Sequence, residues 1–109
     1  MADRTKALMQ MLEDDPRDTF CLYSLGQEAA KAEHFEEALK WYHRVLDIDP
    51  QYCYAWFHMA RALEALDRND EACTTLETGM KHAQQAGDTH AVQEMQVLLD
   101  TYRAESSQS

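Results

Sequence analysis

The sequence predicts an all-α fold in which pairs of antiparallel helices repeat along the chain. Three observations carry that prediction. Glycine occurs three times and proline twice in 109 residues, too few to punctuate a set of strands and tight turns. Ala, Leu, Glu, Gln, Met, Lys and Arg dominate, all good helix formers, and apolar residues recur at helical spacing in short segments. The two prolines, Pro16 and Pro50, stand 34 residues apart, and each follows an aspartate that closes such a segment: "EDDP" at 13–16 and "DIDP" at 47–50.

The first helix is predicted over 3–14, with Leu8, Met11 and Leu12 on one face, and it ends before Pro16. A second, about 18–32, carries Leu22, Leu25, Gly26 and Ala29 as a stripe. A third, about 35–47, carries Ala38, Leu39, Tyr42, Val45 and Leu46. The fourth, about 53–66, carries Trp56, Met59, Ala60 and Leu63, and the fifth, about 69–85, carries Ala72, Cys73, Leu76 and Met80. Gly87 then supplies a left-handed stop, and Asp88 caps a sixth helix, 88–104, with Ala91, Val92, Met95, Leu98, Leu99 and Tyr102 on one side. The tail, 105–109, has nothing to bury and reads as disordered. Connections this short force neighbouring helices to pack antiparallel.

Shifting the chain by 34 aligns it with itself. Leu22 falls on Trp56, Tyr23 on Phe57, Leu25 on Met59, Gly26 on Ala60, Ala38 on Ala72 and Tyr42 on Leu76. Gly26 and Ala60 read as points of close helix approach, where a large side chain costs about 1–3 kcal/mol. The sixth helix fits a shift of 36 instead, placing Trp56 on Val92 and Met59 on Met95. A two-residue extension around "QQAGD" follows, and Gln84 stands where a third proline would fall. The sixth helix is then a cap with Gln93, Glu94, Asp100 and Arg103 toward water, as the last unit of a solenoid requires.

The segment "LYSLGQEAAKAEHFEEALKWYHRVLDIDP" resembles the tetratricopeptide repeat, a helix–turn–helix unit of this period, through Leu22, Leu25, Gly26, Ala38, Tyr42 and Pro50. The second copy, "WFHMARALEALDRNDEACTTLETGM", shows Trp56, Met59, Ala60, Leu63, Ala72 and Leu76. Full units are expected at 15–50 and 51–86, preceded by a half-unit helix at 3–14 and followed by the cap, making one domain over 1–104. The resemblance implies a right-handed α-solenoid superhelix of about six antiparallel helices. One departure is Ala29, a small residue where the second copy keeps Leu63.

The resemblance also implies where a ligand sits, because the first helices of successive units line a concave groove that holds peptides or partner segments. Carried over, that groove shows Phe20, Tyr23, Gln27 and Lys31 from the second helix and Tyr54, Phe57, Arg61 and Glu64 from the fourth. His90, Gln93 and Val97 complete the wall. Aromatics and Arg are the types that dominate binding hot spots. Tyr23 and Gln27 stand where one subgroup carries a Lys and an Asn that clamp acidic tails, so no such clamp is expected. Arg61 remains able to hold a single carboxylate bidentately. The competing reading is that Tyr23 and Phe57 only seal neighbouring helices together.

Composition excludes several functions. Twenty Asp and Glu against ten Lys and Arg give a formal net charge of −10, with no basic cluster to engage a phosphate backbone, so no nucleic acid is expected. No apolar run is long enough to span a membrane, and the N-terminus lacks a signal-peptide pattern, so the expected setting is cytoplasmic. Cys21, Cys53 and Cys73 are scattered and read as reduced packing residues. The histidines, His34, His43, His58, His82 and His90, form no metal-binding spacing, and the acidic runs lack a calcium loop. No phosphate loop or nucleophile elbow is present. The expectation is an adaptor without catalysis, metal or cofactor: a monomer that takes a neutral or basic protein segment in its groove. The alternative is a structural subunit that self-associates through its terminal helices.

Overall fold

The computed structural model describes residues 2–107, and within them six helices and no strand. They are α1 (Ala2–Asp14), α2 (Thr19–Lys31), α3 (Phe35–Ile48), α4 (Cys53–Ala65), α5 (Asn69–Gln85) and α6 (Thr89–Ser107). Each packs antiparallel on the next, and α4 also approaches α2 and α6 closely. The helices therefore form two layers, α2/α4/α6 and α1/α3/α5, in a body of 44 × 31 × 18 Å whose thin dimension is about two helix layers deep. No close approach joins α1 to α3 or α3 to α5. One layer is drawn together while the other is splayed, and that difference curves the stack toward α2, α4 and α6. This is an all-α helical-repeat solenoid.

Two kinds of turn alternate, and both follow from local chemistry. In the turns that carry proline, Asp15 Oδ1 accepts from Arg17 N (3.2 Å) and Asp49 Oδ1 from Gln51 N (3.0 Å). Each aspartate thus bridges its own proline with an Asx turn, while the ring prevents the helix from continuing. The other kind closes with a left-handed residue: Glu33 (φ 62°), Asp67 (φ 62°) and Gly87 (φ 74°). In each, the next residue's N–H reaches back five positions, as in His34 N to Ala29 O, Arg68 N to Leu63 O and Asp88 N to Ala83 O. Those bonds satisfy the last carbonyls of the helix and hold the left-handed residue in place. The sequence reveals Gly87 but not Glu33 or Asp67, whose side chains give no sign of it. Asp18 and Asp88 cap α2 and α6 through Cys21 N (3.1 Å) and Ala91 N (3.0 Å).

The core runs the length of the stack. Leu22, Leu25, Ala38, Tyr42 and Val45 fill the first hairpin, Met59, Ala60, Leu63, Ala72 and Leu76 the second, and Met95, Leu99 and Tyr102 join it from α6. Close approach is strictest at two glycines. A Cβ on Gly26 would lie 2.5 Å from Tyr42 Cε1, and one on Gly79 would lie 2.5 Å from Trp56 Cβ and 3.0 Å from Met95 Sδ. Gly26 is thus matched to the Tyr42 ring. The second hairpin carries the opposite allotment at the same two positions, Ala60 and Leu76.

The C-terminus departs from the expected disordered tail. α6 continues through Glu105, Ser106 and Ser107, and residues 108–109 lie outside the described part of the chain. The last turn is tied to α5, where Asn69 Nδ2 donates to Tyr102 O (2.9 Å) and to Ser106 Oγ (2.5 Å). Apolar patterning does not register such a polar tether.

Candidate functional site

The concave side holds a cavity of about 720 Å3 whose walls come from α2, α4 and α6. The small residues Ala30, Ala62 and Ala65 keep it open, and Leu98 and Tyr102 close it at α6. Five of the ten residues expected in the groove line this cavity: Gln27, Lys31, Phe57, Arg61 and Glu64. Helical spacing explains that grouping, because residues four apart share a face, as Gln27 and Lys31 do on α2 and Phe57 and Arg61 on α4.

The other five stand elsewhere. Phe20 is 62% exposed on the first turn of α2. Tyr54 meets Phe57 edge-on (6.4 Å between centroids), and desolvation, followed by the charge of the α6 carboxylate of Glu94, raises its phenol. His90 pairs with Glu94 (2.6 Å) at the start of α6, and Gln93 is exposed, as is Val97. Tyr23 is a seam residue. Its ring packs on Tyr52 (5.1 Å), His58 (5.8 Å) and Tyr42 (6.0 Å), and burial raises its phenol to about 12. For Tyr23, the sealing reading describes the geometry.

His58 is the cavity residue that sequence spacing misses. It is half-buried between Tyr23, Tyr42 and Phe57 and lines the cavity beside Arg61. Burial, aided by the Arg61 charge, lowers its pKa to about 4, so at neutral pH it is an uncharged imidazole. The signal present in the sequence is its position four residues after Tyr54 and next to Phe57. Tyr42 and Tyr102 also reach the cavity, although their spacing marks them only as core. Tyr42 Oη donates to Gln27 Oε1, fixing that amide at the cavity wall. Glu33 and Phe35 complete the rim.

Charge in the cavity is unevenly satisfied. Among the described residues Arg4, Arg68 and Arg103 pair with carboxylates, and Arg44 stacks on Trp41 (5.2 Å). Arg61 makes no hydrogen bond or ion pair among those residues, while its charge is felt by Tyr42, His58 and Tyr102. An exposed guanidinium with five free donors among aromatic walls is equipped to bind a carboxylate or a peptide carbonyl.

Among the described residues no group of three His, Cys, Asp or Glu side chains is placed to hold a metal ion. His82 stacks on Trp56 (5.4 Å, 9° between planes) and His90 is paired with Glu94, so the two histidines flanking the "QQAGD" turn are separately engaged. No helix among the described residues is long and apolar enough to cross a membrane.

Comparison with known proteins gives this geometry a family. An uncharacterized protein of Methanocaldococcus jannaschii, MJ0572, is 36% identical over 50 residues, which are 46% of this chain and 58% of that one. The match thus spans little more than half the length of that relative. The solution structure of BPP2914 from Bordetella parapertussis superposes with a TM-score of 0.85 at 30% identity, covering 96% of this chain and 91% of that one. The TPR2B domain of yeast Sti1, solved as a complex with pHsp70, superposes with a TM-score of 0.86 at 21% identity, covering 93% and 81%. The tetratricopeptide repeat model itself matches residues 29–96, well over half of the chain and spanning the second hairpin with both its neighbours. On that match, and on the two hairpins set 34 residues apart, the chain belongs to the tetratricopeptide repeat family.

Proposed function

We propose that this protein is a monomeric, non-catalytic adaptor that holds a segment of another protein in its concave groove. Family membership supports protein–protein interaction in general, and the yeast Sti1 domain is itself a complex with pHsp70. The observation that carries the reading for this chain is the unpaired Arg61 inside a 720 Å3 cavity walled by Phe57, His58, Leu98 and Tyr102. Phe57 and Leu98 offer apolar contact to a partner side chain, and Gln27 and Arg61 offer polar contact to its backbone or to one carboxylate. Lys31 and Arg61 are balanced locally by Glu33 and Glu64, while the whole chain carries −10. The segment is therefore neutral or basic over its length, with at most a single acid placed at Arg61. A cytoplasmic setting accords with three free cysteines.

The test uses the intact chain and its Phe57→Ala/Arg61→Ala double variant as paired baits in the native lysate, read by mass spectrometry. A protein retained by the first and lost by the second is expected, with the helical signal and melting temperature nearly unchanged. A double variant that unfolds would show both residues to be core, and one that keeps the same partner would place binding elsewhere. Self-association through the terminal helices is the second reading, favoured by exposed Met9 and Met11 on α1 and Val97 on α6. A monomeric mass by light scattering at every concentration removes it.

A further inference from the structure

A carboxylate stands among aromatic rings where α4 faces α6, beside the cavity and sharing Phe57 with it. On α4, Tyr54 and Phe57 meet edge-on (6.4 Å, 70° between planes), and Phe57 meets His58 in the same manner (5.2 Å, 80°). Glu94 comes to these rings from α6. Its charge is the first influence after desolvation to raise the Tyr54 phenol, and it acts on His58 as well. The corner is open to solvent: Tyr54 is 36% exposed, the Glu94 side chain 37%, and Val97, one turn farther along α6, 67%.

No cation of the chain neutralises that carboxylate. Among the described residues Glu94 pairs with no Lys or Arg. Its partner is the imidazole of His90, which meets Oε1 at 2.6 Å and leaves Oε2 for another donor. The next charge that bears on Tyr54 is again a carboxylate, that of Asp88 at the cap of α6. Arg61 acts on His58 from the cavity side but makes no ion pair with Glu94. A carboxylate with one oxygen free, two rings beside it and no fixed counter-charge complements a flat cationic side chain.

On the reading that the groove holds a protein segment, we propose that this corner is its cation subsite, where an arginine of the partner pairs with Glu94 and lies against the rings of Tyr54 and Phe57. Arginine fits better than lysine, because the guanidinium is planar, stacks on rings and is more weakly hydrated than an ammonium. The placement gives the groove an electrical order: the basic residue of the partner goes to Glu94 on α6, and any acidic one to Arg61 on α4. A net charge of −10 draws a basic segment in from a distance, and Glu94 gives that attraction a fixed end point.

The probe is the tetrapeptide Ala-Leu-Arg-Ala, acetylated and amidated so that arginine is its sole charge, titrated into the intact isotope-labelled protein and followed by NMR. Shifts are expected in the amides of Tyr54, Phe57 and Glu94 at millimolar peptide. Glu94→Gln keeps a hydrogen bond to His90 and is expected to melt as the wild type does, yet to bind the probe more weakly by about threefold or more. Glu105→Gln removes the same unit of charge from an exposed site near the other end of α6 and is expected to bind as the wild type does. A tetrapeptide with Gln in place of Arg is expected to bind wild type and Glu94→Gln equally weakly. Absence of shifts on α4 and α6, unchanged affinity in Glu94→Gln, or equal weakening by Glu94→Gln and Glu105→Gln overturns the proposal. Equal affinity for the lysine tetrapeptide overturns the assignment to arginine. The paired baits decide whether the groove takes a partner at all, and the tetrapeptide decides the subsite alone, so either can fail without the other.

Discussion

Gly26→Ala tests the packing argument most directly, because helix propensity and tertiary contact predict opposite signs. In an isolated helix the change is favourable by about 1 kcal/mol. In this fold the added methyl would stand 2.5, 2.8 and 3.0 Å from Cε1, Cδ1 and Cζ of Tyr42, about 1 Å inside an ordinary carbon contact at the nearest point. The ring has no room to retreat, since Tyr42 is fully buried and its hydroxyl is bonded to Gln27. Overpacking of this kind costs about 1–3 kcal/mol, and the contact is severe enough to place this case near the upper end. After the propensity gain, a net loss of about 1–2 kcal/mol remains, or a fall in melting temperature of about 4–8 °C for a chain this size. Urea and thermal denaturation followed by circular dichroism measure it. Tyr42→Leu alone leaves a void and is destabilising by about 1–3 kcal/mol. Combined with Gly26→Ala, it reproduces the Ala60–Leu76 pair of the second hairpin, so the double variant should be more stable than the two losses added together, by about 1 kcal/mol or more. A Gly26→Ala protein as stable as wild type, or strictly additive losses, would refute the assignment of Gly26 to close contact.

Gly79→Ala carries the same logic to the second hairpin, where the methyl meets Trp56 Cβ at 2.5 Å and Met95 Sδ at 3.0 Å; a loss of about 1–3 kcal/mol by denaturation is expected, and a neutral result would contradict it. His58 makes stability depend on pH below neutrality. Its folded pKa of about 4 lies below the ordinary 6.5, so between those values the unfolded chain binds the extra proton and stability falls as pH is lowered. Allowing for its partial exposure, about 1–2 kcal/mol is lost across that window, and the loss should be absent from His58→Gln; parallel pH curves for the two proteins would rule this out. Asp88→Ala removes the bond to Ala91 N and should cost about 1 kcal/mol, whereas Asp88→Asn should retain most of it; equal melting temperatures for the pair would show that the cap is idle.

Much of the scaffold was legible because it is written in local, periodic terms. The six helices, the break at each Asp-Pro and the cap at Asp88 all depend on residues within a turn of one another. The groove was legible only as a face. Spacing put Gln27 and Lys31 on one helix side and Phe57, Arg61 and Glu64 on or beside another, and those five do line the cavity. The same spacing includes Phe20, Tyr54, His90 and Gln93, which share the layer but do not line the cavity, because a face runs the whole helix while the concavity does not. His58 carries no such mark in the sequence, because its neighbours Tyr23 and Tyr42 lie on two other helices.

The sequence by itself determined the helices, their antiparallel pairing, the 34-residue repeat and the family. Each follows from apolar periodicity, short connections and turn residues acting on their own backbone. The tertiary structure alone decided how the layers differ in spacing, and with it which side is concave. It also decided that Tyr23 seals a seam, that Arg61 stands unpaired in an open cavity and that Asn69 carries α6 to Ser107. Those outcomes arise from contacts between residues on different helices, where side-chain volume and reach settle what periodicity leaves open. The cleft between α1 and α3 shows the division well. Ala29 and Ala32 are plain in the sequence, but only the splay of α1 from α3 leaves open space above them.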